Sequence, residues 1–383
     1  MKKILYVATV YSHISAFHLP YLETLKKKGY EVHVAANYDD KINTRPIIEG
    51  KGIICHDVCF SKSITSMDNL KSIRMLKTLF KKNTFELIHV HTPIAAFITR
   101  FTLRNMKSQG PVIYTAHGFH FFKGSSKMNW LFFYPLERLA RNWTDALIVM
   151  NNEDLINAKK MGFIEDETLF FVHGVGVDIE KYSNHYIDNK LLNELKLEDN
   201  DIVITYIAEL NDNKNQIYLL NNWENIVKNR SDIKLLLIGT GKLEDTLKDY
   251  VKEEKLSNVY FLGYRNDVNE ILAISDIVTL LSFREGLPKC LMEAMCNSKP
   301  CVVSDIRGNR DLITNEKNGF VVPLDDPEKL INSFNKLIES KKLRDTFGEE
   351  GFKKIQSYDL KEVVADVLNI YYRVLHEKSI KYQ

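Results

Sequence analysis

Two carboxylates eight residues apart, Glu285 and Glu293, stand in the run Ser282-Phe-Arg-Glu-Gly-Leu-Pro-Lys-Cys-Leu-Met-Glu-Ala-Met-Cys296. Pro288 suits the first turn of a helix, because its missing N–H is unpaired there anyway. Glu285 is therefore expected in a loop and Glu293 more than one turn inside the helix. Acids so placed would address different parts of one long ligand. Carboxylates accept hydrogen bonds from pairs of sugar hydroxyls, and unpaired N–H groups around Gly286 and Leu287 at the helix start would suit a phosphate. A nucleotide sugar carries both kinds of group. Acids also occur at this spacing by chance, and a Glu in a first helical turn often only complements the macrodipole, so the neighbouring residues have to decide.

That order of residues resembles the Glu-x7-Glu signature of retaining glycosyltransferases of family 4, which have the two-domain GT-B fold. The likeness extends over most of the chain. It is closest to bacterial transferases making capsule or exopolysaccharide, through Thr115-Ala-His-Gly-Phe-His-Phe121, Ala208-Glu-Leu-Asn211, Glu285-Gly-Leu-Pro288 and Ser304-Asp-Ile-Arg-Gly-Asn-Arg-Asp-Leu-Ile313. The resemblance implies that Glu285 contacts donor-sugar hydroxyls and that Glu293 binds the nucleotide ribose. It places Lys214 on the donor diphosphate, where a compact ammonium would stabilise the charge growing on the departing nucleotide. The Arg usual just after the strand in that family is replaced here by Glu209, a departure that leaves phosphate neutralisation partly unaccounted for.

Further candidates follow strands. Gly239-Thr-Gly241 lets the backbone turn tightly and approach a ligand before a helix starting near Leu243, although such glycines often serve packing alone. Related enzymes hold the base near Phe261-Leu-Gly-Tyr-Arg-Asn-Asp267, so Tyr264 or Arg265 could stack on it, while Asn266 and Asp267 equally suit a helix cap. His117, at a strand end beside Gly118, can face the cleft and hydrogen-bond a donor-sugar hydroxyl, a role that the resemblance implies, although a lone histidine is more often structural; His120 lies three residues on. Ser12 and His13, in the turn after the first strand, are acceptor-side candidates by resemblance. That turn lacks Gly-x-Gly-x-x-Gly, which disfavours dinucleotide chemistry. Asp199-Asn200-Asp201 has the Asp-x-Asp form of a metal site, but charged turns are common in linkers and GT-B enzymes normally need no metal. Neither a metal nor another cofactor is expected.

Elements able to position these residues are visible as apolar runs alternating with amphipathic segments, which call for parallel sheets covered by helices. Strands are expected at Lys3–Thr9, Glu31–Ala36, Leu87–His91, Val112–Thr115 and Ala146–Met150. After a polar linker around Tyr182–Asp201 a second series follows at Ile202–Ile207, Lys234–Ile238, Val259–Leu262, Ile277–Leu281 and Cys301–Ser304. The fold class is α/β: two Rossmann-like doubly wound domains facing across a cleft, residues 1–181 on the acceptor side and 182–359 binding the nucleotide sugar. A long amphipathic helix, Leu360–Glu377, is expected to pack back on the first domain.

At 383 residues two domains are the default, and 45% hydrophobic with 27% charged residues is the composition of a folded globular chain. No run approaches a membrane span, and Met1–Val10 reads as a first buried strand rather than a signal peptide. Five cysteines without a Cys-x-x-Cys pair fit a reduced cytoplasmic compartment. The 11 histidines are scattered, so a zinc site is not expected, and His89 and His91 suit a strand end. Residues 1–145 hold 21 Lys and Arg against 10 Asp and Glu, the remainder 31 against 40. The basic half, with Trp130-Leu-Phe-Phe-Tyr134 flanked by Lys123, Lys127, Arg138 and Arg141, suits an anionic membrane surface or a diphosphate-linked acceptor. A core helix with snorkelling charges is the competing reading.

The expected activity is retaining, metal-independent transfer of a sugar, possibly an N-acetylhexosamine by resemblance, from a UDP-sugar to a polyprenyl-diphosphate-linked saccharide. The enzyme would be peripheral on the inner face of the cell membrane, with no nucleic-acid partner. The alternatives are a nucleotide-sugar epimerase of the same fold and a non-catalytic nucleotide-sugar-binding scaffold.

Overall fold

The computed structural model describes residues 1–38, 44–61, 63, 66–183, 189–198 and 200–381. The chain divides into two compact units, Met1–Val175 with Lys361–Gln383, and Gly176–Leu360. Each is a parallel sheet with helices between successive strands, the α/β architecture that the alternating pattern implies.

In the first unit the strands are β1 (Lys3–Val10), β2 (Glu31–Asn37), β3 (Ile54–Asp57), β4 (Leu87–His91), β5 (Val112–Ala116), β6 (Ala146–Val149) and β7 (Leu169–Phe171), in the order β3-β2-β1-β4-β5-β6-β7. β1 reads Lys-Ile-Leu-Tyr-Val-Ala-Thr-Val with its six central residues buried, as a strand covered on both faces must. β3 and β7 escape a reading by apolar runs because they are only four and three residues long, and β3 is partly exposed. Strand order reverses between β1 and β4, which is where ligands bind in such sheets. The final helix, Leu360–Lys381, belongs to this unit from Lys361 on. Its Tyr371 hydroxyl lies 2.5 Å from both Tyr6 Oη and His89 Nδ1, joining it to β1 and β4.

One charged pair is built into the core here. Arg100, on the helix Pro93–Leu103, is fully buried, and its Nη2 donates to Glu137 Oε2 (2.8 Å) on the helix Lys127–Ala140. Its Nε donates to Ala96 O, and the guanidinium lies 4.2 Å from the Tyr114 ring centroid.

The second unit contains β8 (Ile202–Ile207), β9 (Ile233–Ile238), β10 (Val259–Gly263), β11 (Ile277–Leu280), β12 (Cys301–Ser304) and β13 (Gly319–Val322), in the order β10-β9-β8-β11-β12-β13. Its switch point lies between β8 and β11. The stretch expected to be a polar linker instead contains the helix Asn189–Leu195, because Leu191 and Leu195 pack into a core cluster with Val203, Leu236 and Ile271. Asp199 lies outside the described residues. Asp201 accepts from Glu198 N and faces Lys234, 3.7 Å away.

Candidate functional site

In the second unit the segments after β8 and β11 are sewn together at the switch point. Tyr206, fully buried near the end of β8, accepts from Leu281 N (2.8 Å) and donates to Lys214 O. Asn215, in the left-handed conformation at φ 54°, donates to Leu281 O. Asn213 donates from Nδ2 to Arg284 O, and its own carbonyl accepts from Phe283 N. These bonds bring Lys214 Nζ to 2.5 Å from Glu285 Oε1 although the residues are 71 apart in sequence. Burial pulls the ammonium down, but the Glu285 carboxylate together with the nearby Cys290 and Glu209 outweighs it, so the Lys214 pKa lies above its ordinary value.

A third segment buttresses the pair from the end of β12. Arg307, buried, donates from Nε to Glu285 O (3.3 Å). Gly308, at φ +76°, lies so close that a Cβ there would stand 2.5 Å from Gly286 O. Tyr206, Asn213, Asn215 and Arg307 were not singled out from the sequence. The signal of Asn213, Asn215 and Arg307 lay in the short motifs Asn-x-Asn-Lys-Asn and Ile-Arg-Gly-Asn, whereas Tyr206 is one residue of the apolar strand run Ile202–Ile207 and carried no separate signal.

The helix carrying Glu293 runs from Lys289 to Cys296, and Pro288 is its N-cap instead of lying in its first turn. The first helical amides are thus those of Lys289, Cys290 and Leu291, not of Gly286 and Leu287, which sit in the preceding loop. Pro288, at ψ 121°, keeps an extended conformation that starts the helix one residue later. Glu293 is buried, 3.6 Å from Lys289 Nζ, and hydrogen-bonds with Tyr182; burial first and this carboxylate second raise the phenol's pKa.

The other donor candidates divide. Gly239 and Gly241 are required by packing between loops: a Cβ would meet Ala208 O at 2.0 Å and Leu210 O at 2.2 Å. The helix after them begins at Glu244, with Leu243 as its N-cap. Tyr264 presents an exposed ring. Arg265 is held by Asp267 (2.8 and 2.5 Å) and Glu194 (2.7 Å), so Asp267 grips Arg265 and makes no side-chain cap bond. Glu209 is exposed, and its carbonyl accepts from Gln216.

In the first unit the segment after β1 is a helix, Tyr11–Phe17, rather than a turn, because burial of Tyr11 and Ile14 three residues apart selects helical spacing. It carries Ser12 and His13. His117 follows β5 directly, its Nε2 3.2 Å from Nδ1 of His91 at the end of β4. His18 packs on His91 with ring centroids 3.9 Å apart, and His13 meets His117 edge-on at 4.8 Å. His120 stacks on Phe133 instead. Thr92, next to His91, holds φ 61°, a strained value for a β-branched residue, while its Oγ1 accepts from Thr9 N. Histidines scattered along the chain are thus gathered at the switch point.

Burial pushes His13 down to about 4 and His89 to about 3, and holds His18, His91 and His117 well below the usual histidine value, with neighbouring imidazoles adding to it for these three. The unfolded chain takes up these protons near pH 6.5 and the folded chain only further below. Stability is therefore complete above that pH and is lost as pH falls from 6.5 toward 4. Melting temperatures between pH 7.5 and 5 should fall steeply below 6.5; a flat profile would show that the cluster accepts protons while folded.

Comparison with known proteins bears on both units. Residues 3–151 match the family model described as glycosyl transferase 4-like, and residues 188–354 that described as glycosyl transferases group 1. The putative glycosyltransferase EpsD of Bacillus subtilis is 33% identical over 97% of this chain and 96% of that protein. The chain belongs to the family 4 glycosyltransferases. The transferase is also 31% identical, over 74% of each chain, to an Escherichia coli protein named UDP-Gal:alpha-D-GlcNAc-diphosphoundecaprenol alpha-1,3-galactosyltransferase. Among solved structures, Anabaena Alr3699/HepE in complex with UDP and glucose superposes with a TM-score of 0.78 over 97% of this chain and all of that one, at 19% identity, a likeness of fold.

Proposed function

We propose that the transferase moves a sugar from a UDP-sugar to a hydroxyl of a polyprenyl-diphosphate-linked saccharide, with retention of configuration and without a metal, in the synthesis of a cell-surface polysaccharide. The observation that carries this reading is the Lys214–Glu285 pair at the β8/β11 switch point, a cation and a sugar-hydroxyl acceptor in contact. The E. coli relative's name, with its UDP donor and diphosphoundecaprenol acceptor, supports the substrate class.

In this scheme the bond from the sugar's anomeric carbon to the diphosphate breaks while the acceptor oxygen bonds to that carbon on the same face. The acceptor proton passes to the departing diphosphate oxygen. Lys214 exchanges part of its pairing with Glu285 for the diphosphate and offsets the charge growing there. Glu285 accepts from sugar hydroxyls, Glu293 from the ribose, and Tyr264 stacks on the base. His117 holds a sugar hydroxyl, while Ser12, His13 and His120 are assigned to the acceptor.

Among the described residues no helix is long and apolar enough to cross a membrane. The helix Lys127–Ala140 exposes Met128, Leu131, Phe132 and Leu139 beside Lys127 and Arg138, which supports peripheral contact with an anionic bilayer on its inner face.

The test is transfer from a panel of UDP-sugars, N-acetylhexosamines and galactose first, to a synthetic polyprenyl-diphosphate-linked sugar. Product formed only with acceptor supports the reading; an epimerised donor without acceptor would replace it. Glu293→Gln should weaken UDP binding about 10–100-fold by calorimetry, the loss typical of a charged hydrogen bond, and unchanged affinity would remove the ribose role.

A further inference from the structure

The histidine cluster of the first unit holds more nitrogen than the transfer reaction uses. One nitrogen each from His13, His18 and His117 lies within 4.8 Å of the other two. The Nε2 atoms of His13 and His18 are 3.4 Å apart, close to the spacing of about 3.3 Å between two nitrogens bound at 2.0–2.1 Å to a tetrahedral zinc-type ion. The three rings do not stack: they meet at 86°, 64° and 49°, so their edges can converge on one point. His91 Nδ1 lies 3.2 Å from His117 Nε2, a contact that can fix the orientation of the His117 ring. Its own Nε2 is buried without a hydrogen-bond partner among the described residues. Tyr6, Phe17 and Tyr21 complete an aromatic surround. His18 has no part in the proposed transfer, and His13 remains partly accessible.

We propose that His13, His18 and His117 form a binding site for a borderline divalent cation of the zinc class, and that the bound cation inhibits sugar transfer by occupying His117. The inhibitory half rests on the role given to His117 above; the binding half does not.

The experiment is a titration of the metal-free full-length protein with Co2+, followed by visible absorption. One equivalent should bind with a tetrahedral-type spectrum lacking thiolate-to-cobalt charge transfer, and Zn2+ should displace it and raise the melting temperature. His13→Asn and His18→Gln should each weaken binding by at least about 10–100-fold, the loss seen on removing even an outer partner; His56→Gln, in the separate His33–His56 pair, should not. If His18→Gln fails to fold, His13→Asn decides. No binding, a thiolate band, or wild-type affinity in a folded His13→Asn would overturn the site and leave the transfer reading standing. Cobalt or zinc bound at the site without chelator-reversible inhibition would overturn the inhibitory half and the role of His117 with it.

Discussion

Lys214→Ala lowers the turnover number for sugar transfer by about 10²–10³-fold, the effect of removing one preorganised group that meets developing charge, while leaving the protein folded. On the proposed role the loss falls mainly on kcat, because the ammonium would matter most when the diphosphate gains charge on leaving. The usual family arginine is replaced by exposed Glu209, so no guanidinium from that position shares the task. Lys214→Arg does not restore the rate: a planar fork on a longer stem cannot reproduce a point charge set 2.5 Å from Glu285. Glu285→Gln has a comparable effect, because the amide offers sugar hydroxyls one neutral acceptor and no longer holds the lysine. As the two side chains touch, the double variant is far less impaired than the product of the single effects. Steady-state kinetics with circular dichroism of each variant checks this, and full turnover by folded Lys214→Ala would sink the assignment.

Glu137→Ala destabilises the protein by about 3–5 kcal/mol, the cost of leaving one partner of a buried ion pair behind. Arg100 is fully buried, and the carboxylate 2.8 Å away is the anion that balances it. The pair joins two helices, and the arginine also lies over Tyr114 of β5, so its loss loosens the layer on one face of the sheet. Replacing both partners with apolar residues, Arg100→Met with Glu137→Leu, recovers most of the loss because no charge is left unpaired. Urea denaturation midpoints of the single and double variants measure it. An unchanged midpoint in Glu137→Ala would mean that water reaches Arg100 and that the pair is not a core element.

The legible parts of the site are those encoded within a few residues. Glu285 and Glu293 share one loop and helix, so Pro288 between them separates a loop acid from a helical one, and the run of buried residues in β1 or β8 announces a strand without reference to anything distant. Where the local signal is thin, the sequence does not announce the element. β3 and β7 are too short to show a period, and Asn189–Leu195 looked like linker because two buried leucines among polar residues have meaning only against the cluster they join.

The amino-acid sequence by itself determined two α/β units and which short motifs carry charge, because strand burial and helix starts follow from side-chain period and backbone chemistry along a continuous stretch. The tertiary structure alone decided which charges meet. The Lys214–Glu285 contact, the Arg307 brace and the meeting of His13, His18, His91 and His117 each join residues from different strand ends of one sheet. No period in the chain encodes such a meeting, because it arises only when parallel strands are aligned with their carboxyl ends on the same edge.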